Sequence, residues 1–211
     1  MNYKFISDSF DYKPQIKEQK LPIWCYYEAF NDSELNTMCS YFDTQTLNKG
    51  TIHYGNHDKK PIEPTRISNI KFFYRDAQDK NTSWIFERIE QVIKTINDEF
   101  YQFDLDSFDY FQYTEYDANE NGKYEYHMDT FLNEECKTRK LSITICLNEA
   151  GKDYEGGQLE FNVSQENLSA EFGTKKGRMI LFPSFIIHRV KPVTKGIRKS
   201  IVVWVEGPKF K

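Results

Sequence analysis

Four histidines occur in the chain, His53, His57, His127 and His188, and two of them stand where chemistry can be built. His127-Met128-Asp129 closes a strand-like run that begins at Lys123. Residues i and i+2 of a strand point to one face, so His127 and Asp129 can reach a single point. His188 follows much later, inside another such run, Ile186–Val193. If a late strand passes beside an early one, two imidazoles and one carboxylate share a face. That set binds non-haem Fe(II) and leaves coordination positions open for a chelating cosubstrate and oxygen.

A chelating keto acid needs a counter-charge at its far end. Arg198 lies ten residues after His188, beyond the turn residues Pro192 to Gly196. A hairpin there would return Arg198 alongside His188, and guanidinium binds a carboxylate bidentately, which Lys does less well. Ser200 and Trp204 share the face of Arg198 by period two, the first as a hydroxyl donor and the second as a pocket wall. On an earlier strand Gln112, Thr114 and Tyr116 share a face, and Tyr116 would offer a phenol to the same carboxylate.

Other candidates carry less. H-x-D alone also occurs in surface turns and in satisfied core pairs. His53 and His57 are spaced as a helical metal pair would be, but Gly55, Asn56 and Asp58 argue for a loop. Gly156-Gly157 reads as a turn opening a strand, because neither a helix start nor Lys-Ser/Thr follows. Arg189, Lys191, Lys195 and Lys199 read as a solvated edge, the alternative being that they favour an acidic substrate, and Tyr124 and Tyr126 read as aromatic packing.

These residues need a scaffold. After Phe103, strand-like runs alternate with turn signals: Tyr110–Tyr116, Lys123–Asp129, Lys140–Asn148, Gln158–Val163, Arg178–Phe182, Ile186–Val193 and Arg198–Val205, with a weaker one at Ala170–Phe172. Seven or eight strands at this spacing predict a double-stranded β-helix, or jelly roll. Before them, a strand over Leu21–Phe30 precedes a helix start at Asn31-Asp32-Ser33. Residues 48–64 read as loop, and Arg66–Arg75 as a further strand. A helix with one broad apolar face follows Asn81-Thr82-Ser83. The expected class is mainly β with supporting helices. Residues 1–20 form an arm, ordered only if docked, and 21–211 a single domain, with supporting strands and helices over 21–103 and the jelly-roll core over 104–208.

Composition bounds the rest. The chain has 211 residues, 28 basic against 32 acidic, with 17 Phe, 14 Tyr and 3 Trp. A net charge of −4 argues against a nucleic-acid coat or a polybasic membrane anchor. No apolar run reaches the ~20 residues of a membrane helix. The N-terminus lacks a basic head followed by an apolar stretch, so the expectation is an intracellular protein with its four cysteines as free thiols.

From about Phe111 to Pro208 the sequence also resembles a family. "YTEYDANENGKYEYHMD" (113–129), "RKLSITICLNEAGKDYEGGQLEF" (139–161) and "KGRMILFPSFIIHRVKPVTKGIRKSIVVWVEGP" (176–208) are similar to the 2-oxoglutarate- and Fe(II)-dependent dioxygenases. The likeness is to their prolyl/lysyl-hydroxylase-like (PKHD-type) branch, phage-type members included. Tyr154-Glu155-Gly156-Gly157-Gln158-Leu159 and Phe182-Pro183-Ser184 are typical of that branch. The resemblance implies His127, Asp129 and His188 as the iron ligands and as the catalytic centre. It implies Arg198 on the distal carboxylate of 2-oxoglutarate, with Tyr116, Ser200 and Trp204 lining the cosubstrate pocket. Cys146 falls on the strand that carries a cosubstrate-binding Tyr in some relatives, and Arg139 falls where a residue can face the substrate, a strand-start salt bridge being the equal alternative.

Fe(II), 2-oxoglutarate, O2 and ascorbate as reductant are the implied cofactors, and succinate and CO2 the co-products. Halogenating relatives lack the carboxylate, so Asp129 implies hydroxylation. The implied substrate is a prolyl residue in a peptide or protein, or a free amino acid. The implied location is the cytoplasm, that of the host if the chain is phage-encoded. Two rivals remain open. A nucleic-acid demethylase would carry a second Arg six residues after Arg198, where this chain has Trp204. A non-catalytic jelly-roll binding module would not turn over 2-oxoglutarate.

Overall fold

The computed structural model describes residues 4–5, 24–51, 65–106, 108–130, 137–162, 168–169 and 175–210. His53, His57, Cys136, the loop beyond residue 51, the weak strand at 170–172 and most of the arm lie outside them. In chain order the elements begin with β1 (Lys4–Phe5), β2 (Cys25–Glu28), α1 (Asp32–Phe42) and β3 (Asn48–Lys49). Then come β4 (Arg66–Ile67), β5 (Asn69–Tyr74), α2 (Ser83–Ile96), β6 (Tyr110–Asp117) and β7 (Lys123–His127). The remainder are β8 (Lys137–Cys146), β9 (Tyr154–Gly156), β10 (Leu159–Phe161), β11 (Leu168–Ser169), β12 (Arg178–Pro183), β13 (His188–Val190) and β14 (Val193–Pro208).

The strands form two antiparallel sheets, the jelly roll that the strand spacing predicts. The larger runs β1-β2-β12-β8-β14-β6-β5-β3, with β9 paired to the start of β14. The smaller runs β11-β10-β13-β7-β4. The described part of the arm docks: Lys4 and Phe5 pair with Tyr26 and Cys25.

Side-chain parity on the larger sheet separates support from site. Odd-numbered Phe111, Tyr113, Leu141, Ile143, Ile145, Met179, Leu181, Ile201, Val203 and Val205 belong to one apolar core with both helices. From α1 come Leu35, Met38 and Phe42; from α2 come Ile85, Phe86, Ile89, Val92, Ile93 and Ile96. Each helix presents one stripe because apolar residues recur every three or four positions. The even-numbered residues of the same strands face the space between the sheets. There Ser142, Thr144 and Ser200 are buried together with Gln112, Thr114 and Arg198. Such a polar interior costs stability unless it holds partners, and the outward apolar face offsets that cost.

The expected helix starts are present, with different end chemistry. Asn31 accepts from the Glu34 amide at 2.9 Å and its own amide donates to Glu34 Oε2 at 2.9 Å, a reciprocal cap. Thr82, by contrast, makes no side-chain cap; its hydroxyl donates to Asp79 Oδ2 at 2.6 Å. Arg88 ties the helices together, donating to the Ala29 carbonyl at 2.6 Å and pairing with Glu34 at 3.1 Å.

Three sequence expectations change. The strand over Arg66–Arg75 is two strands broken at Ser68: β4 pairs with β7 in the smaller sheet and β5 with β6 in the larger. Asp129 is not a strand residue. Ladder pairing ends at His127, and the Asp129 amide turns to the Ser184 carbonyl at 3.0 Å. The hairpin expected between His188 and Arg198 does not form. β13 pairs with β10 and β7, whereas β14 pairs with β6, β8 and β9. The chain crosses between sheets around Pro192, so Arg198 meets the histidines across the sandwich instead of along a ladder.

Candidate active site

His127 ends β7 and His188 begins β13, and the two residues are direct partners in the ladder. Their rings lie 4.2 Å apart between centroids. Asp129 enters from the segment after β7, with Oδ1 3.5 Å from His127 Nε2 and Oδ2 3.5 Å from His188 Nε2. One ligand atom from each of the three residues falls within 4.8 Å of the others.

Each imidazole is oriented by its far nitrogen. His127 Nδ1 donates to the Glu125 carbonyl at 2.7 Å, and His188 Nδ1 to the Ile186 carbonyl at 2.9 Å. A carbonyl only accepts, so both rings carry a proton on Nδ1 and turn Nε2 toward the shared point. Tyr124 stacks on His127 at 3.5 Å and 12°. Phe182 meets His188 edge-on at 4.7 Å.

Electrostatics favour the ligating forms. Burial drives the His188 pKa down to about 4, against the pull of Asp129, so this ring is neutral at neutral pH. Burial pushes the Asp129 carboxyl upward, but His188, His127 and the Ser142 hydroxyl outweigh it and hold the group well below the usual carboxylate range. A neutral His188, an ionised Asp129 and the His127 ring, all converging, fit a divalent iron ion.

Behind the carboxylate is a relay that the sequence reading missed. Ser142 Oγ donates to Asp129 Oδ2 at 2.7 Å and meets Ser184 Oγ at 2.8 Å. The signal was present as a polar residue alternating with Leu141 and Ile143, yet nothing in the spacing named its partner. Partners of this kind fix ligand orientation. Ser142→Ala is expected to weaken divalent metal binding about 10- to 100-fold, with the fold intact by circular dichroism.

Arg198 lies across the sandwich from the triad and lines the same narrow cavity. It is 2% exposed. Nη1 donates to Ser200 Oγ at 3.0 Å, and the guanidinium sits 5.6 Å from the Tyr116 ring centroid. Among the described residues its Nε and Nη2 have no acceptor at hydrogen-bonding distance and no carboxylate pairs with it. Tyr154 and Cys146 face the guanidinium, but burial pushes both the phenol and the thiol up, so neither supplies a counter-charge at neutral pH. A buried cation with open donors is a socket for an anion.

Gly157 makes room for it. Its φ is +65°, and a Cβ there would stand 2.9 Å from Arg198 Cδ. Gly157→Ala is expected to lower unfolding stability by about 1–3 kcal/mol in urea titrations and to displace the guanidinium.

The predicted residues thus gather: His127, Asp129, His188, Arg198, Tyr116, Ser200 and Trp204 all line one cavity. Tyr124, read as packing, lines it too, as does Arg66, which the sequence reading left in a strand without a role. Tyr124's phenol is pushed up to about 12 by burial and stays protonated. The basic edge is largely paired: Arg189 with Glu160, Lys195 with Glu155, and Lys199 with Asp43. Outside the cavity a groove of about 820 Å³ opens between Tyr110, Tyr124, Met128, Arg139 and Trp204. The described cysteines, Cys25, Cys39 and Cys146, are free thiols. No helix among the described residues is long and apolar enough to cross a membrane.

Fold and site together define a class, the double-stranded β-helix proteins with a two-histidine, one-carboxylate cluster. Residues 111–206 match the family model of the 2OG-Fe(II) oxygenase superfamily. A PKHD-type hydroxylase of Colwellia psychrerythraea is 39% identical over 88 residues, covering 41% of this chain and 38% of the relative. A Synechococcus PKHD-type hydroxylase is 37% identical over 84 residues, covering 40% and 36%. The matched part therefore spans well under half the length of these relatives. Among solved structures, a Pseudomonas putida prolyl-4-hydroxylase superposes with a TM-score of 0.65 at 21% identity, over 89% of this chain and 94% of that one. A prolyl hydroxylase in complex with a hypoxia inducible factor peptide fragment, from Trichoplax adhaerens, gives 0.66 at 16%, over 87% and 83%. These structural likenesses establish the fold.

Proposed function

We propose that the chain is an Fe(II)- and 2-oxoglutarate-dependent hydroxylase acting on a prolyl residue within a peptide or protein. The observation that carries this reading is the buried, uncompensated Arg198 in one cavity with the triad. His127, Asp129 and His188 would hold the iron. Ferrous iron with chelated 2-oxoglutarate supplies the oxidising power for C–H hydroxylation, with O2 consumed and succinate and CO2 released.

The protein's own residues do the positioning. Arg198, with Ser200 holding Nη1, would grip the distal carboxylate, and the Tyr116 ring walls that end. Ser142 fixes the Asp129 carboxylate, and the two Nδ1–H bonds fix the rings. Tyr124 and Trp204 line both the inner cavity and the outer groove, where they would flank the target residue and exclude water. The prolyl-hydroxylase neighbours, one bound to a peptide, support a peptide substrate.

The test supplies Fe(II), 2-oxoglutarate, ascorbate and air to the purified protein, with proline-containing peptides or with oligonucleotides. The expected result is peptide-dependent succinate release matched by one added oxygen on proline in the mass spectrum. Folded, iron-loaded protein that releases no succinate would overturn the hydroxylase reading. Stimulation by oligonucleotide alone would overturn the substrate.

A further inference from the structure

The outer groove carries a charge pattern that neither metal nor cosubstrate binding uses. Arg66, on β4, is the ladder partner of Tyr124. Its guanidinium carbon lies 5.0 Å from the Tyr124 ring centroid, and Nε donates to Ser68 Oγ at 2.8 Å. Among the described residues no carboxylate pairs with Arg66. On the opposite wall Arg139 lies over the Trp204 ring at 4.2 Å and donates to the Tyr110 hydroxyl at 3.2 Å. Among the described residues lining the groove, Asp129 is the one acidic residue, and it is committed to the histidines and Ser142. A chain of net charge −4 has thus placed two guanidinium groups at the entrance to its site.

We propose that the substrate is an acidic peptide, with an Asp or Glu side chain next to the hydroxylated residue, and that Arg66 reads that carboxylate. This rests on the hydroxylase reading above and deepens it. A guanidinium set over an aromatic ring and tethered through Nε to Ser68 keeps its planar fork in place, which suits bidentate pairing with a carboxylate. The rim is apolar: Phe72, Tyr74 and Met128 are exposed there, which suits peptide side chains. A nucleic-acid strand would need a track of cations along its phosphates, and the described residues of this groove supply two. A free amino acid would leave most of about 820 Å³ unfilled.

The experiment uses the full chain under anaerobic conditions with Fe(II) and 2-oxoglutarate. Capped pentapeptides carry a central proline with Glu, Gln or Lys on either side. Tryptophan fluorescence reads peptide affinity, and the visible chelate band of 2-oxoglutarate on iron reads the inner site in the same sample. The expected result is at least tenfold tighter binding of a Glu peptide than of its Gln counterpart, with the Lys peptide weakest. Arg66→Gln should abolish the preference, and Arg66→Lys should keep part of it. Equal affinities for Glu and Gln peptides, or a preference that survives in Arg66→Gln, would overturn the proposal while the chelate band leaves the hydroxylase reading standing. Absence of the band in the unaltered protein would overturn both.

Discussion

Arg198→Met is expected to do two opposite things: weaken 2-oxoglutarate binding by about 30-fold or more, and raise the melting temperature of the cosubstrate-free protein. The first effect follows from removing one partner of a buried charge pair, which costs about 2–5 kcal/mol of binding. The second follows from what the guanidinium lacks without its ligand. Arg198 is 2% exposed, two of its nitrogens have no acceptor, and its phenol and thiol neighbours are held neutral by burial. Replacing such a charge by an apolar side chain of similar length gains about 1–4 kcal/mol. At about 2–4 °C per kcal/mol for a chain of this size, the shift is readable by calorimetry. Arg198→Lys should fall between, because it keeps the charge and loses the fork. Unchanged 2-oxoglutarate affinity in the Met variant would mean that the distal carboxylate binds elsewhere.

Asp129→Ala is expected to weaken divalent metal affinity by about 100-fold or more, since it removes a ligand where loss of a supporting partner alone costs about 10- to 100-fold. Turnover of 2-oxoglutarate should fall to background. Asp129→Asn is the sharper variant. It keeps the side-chain shape and an oxygen for the Ser142 hydroxyl, which lies 2.7 Å from Oδ2, and removes only the charge. Calorimetric titration with Mn(II), under conditions where no oxidation occurs, reads the metal step alone. If both variants bind the ion as the unaltered chain does, the ion is not held by this cluster.

Much of the site was legible in the sequence, though in places for the wrong local reason. Period two placed Arg198, Ser200 and Trp204 on one face of β14, and the structure keeps them there because Ile201, Val203 and Val205 must face the helices. The same parity argument put Asp129 beside His127, but strand pairing stops at His127, and the carboxylate is positioned by a turn held to Ser184. The juxtaposition of His188 and Arg198 was read as a hairpin, whereas it is a crossing between sheets. Sequence distance reports that two segments are near each other, not which ladder each joins. The identity of long-range partners left no local trace. Ser142 on Asp129, Tyr154 against Arg198 and Arg66 over Tyr124 join residues 13, 44 and 58 positions apart through the sandwich. The break at Ser68 was invisible for a related reason: one alternating run feeds two sheets, and only the fold decides where it divides.

The most direct test of the account is an anaerobic visible-absorption titration of the purified chain with Fe(II) and then 2-oxoglutarate. If His127, Asp129 and His188 hold the iron and Arg198 orients the cosubstrate, the keto acid chelates the metal and a charge-transfer band grows to saturation at one equivalent per chain. A folded protein with iron bound that develops no band would contradict the chelate, and with it the central claim.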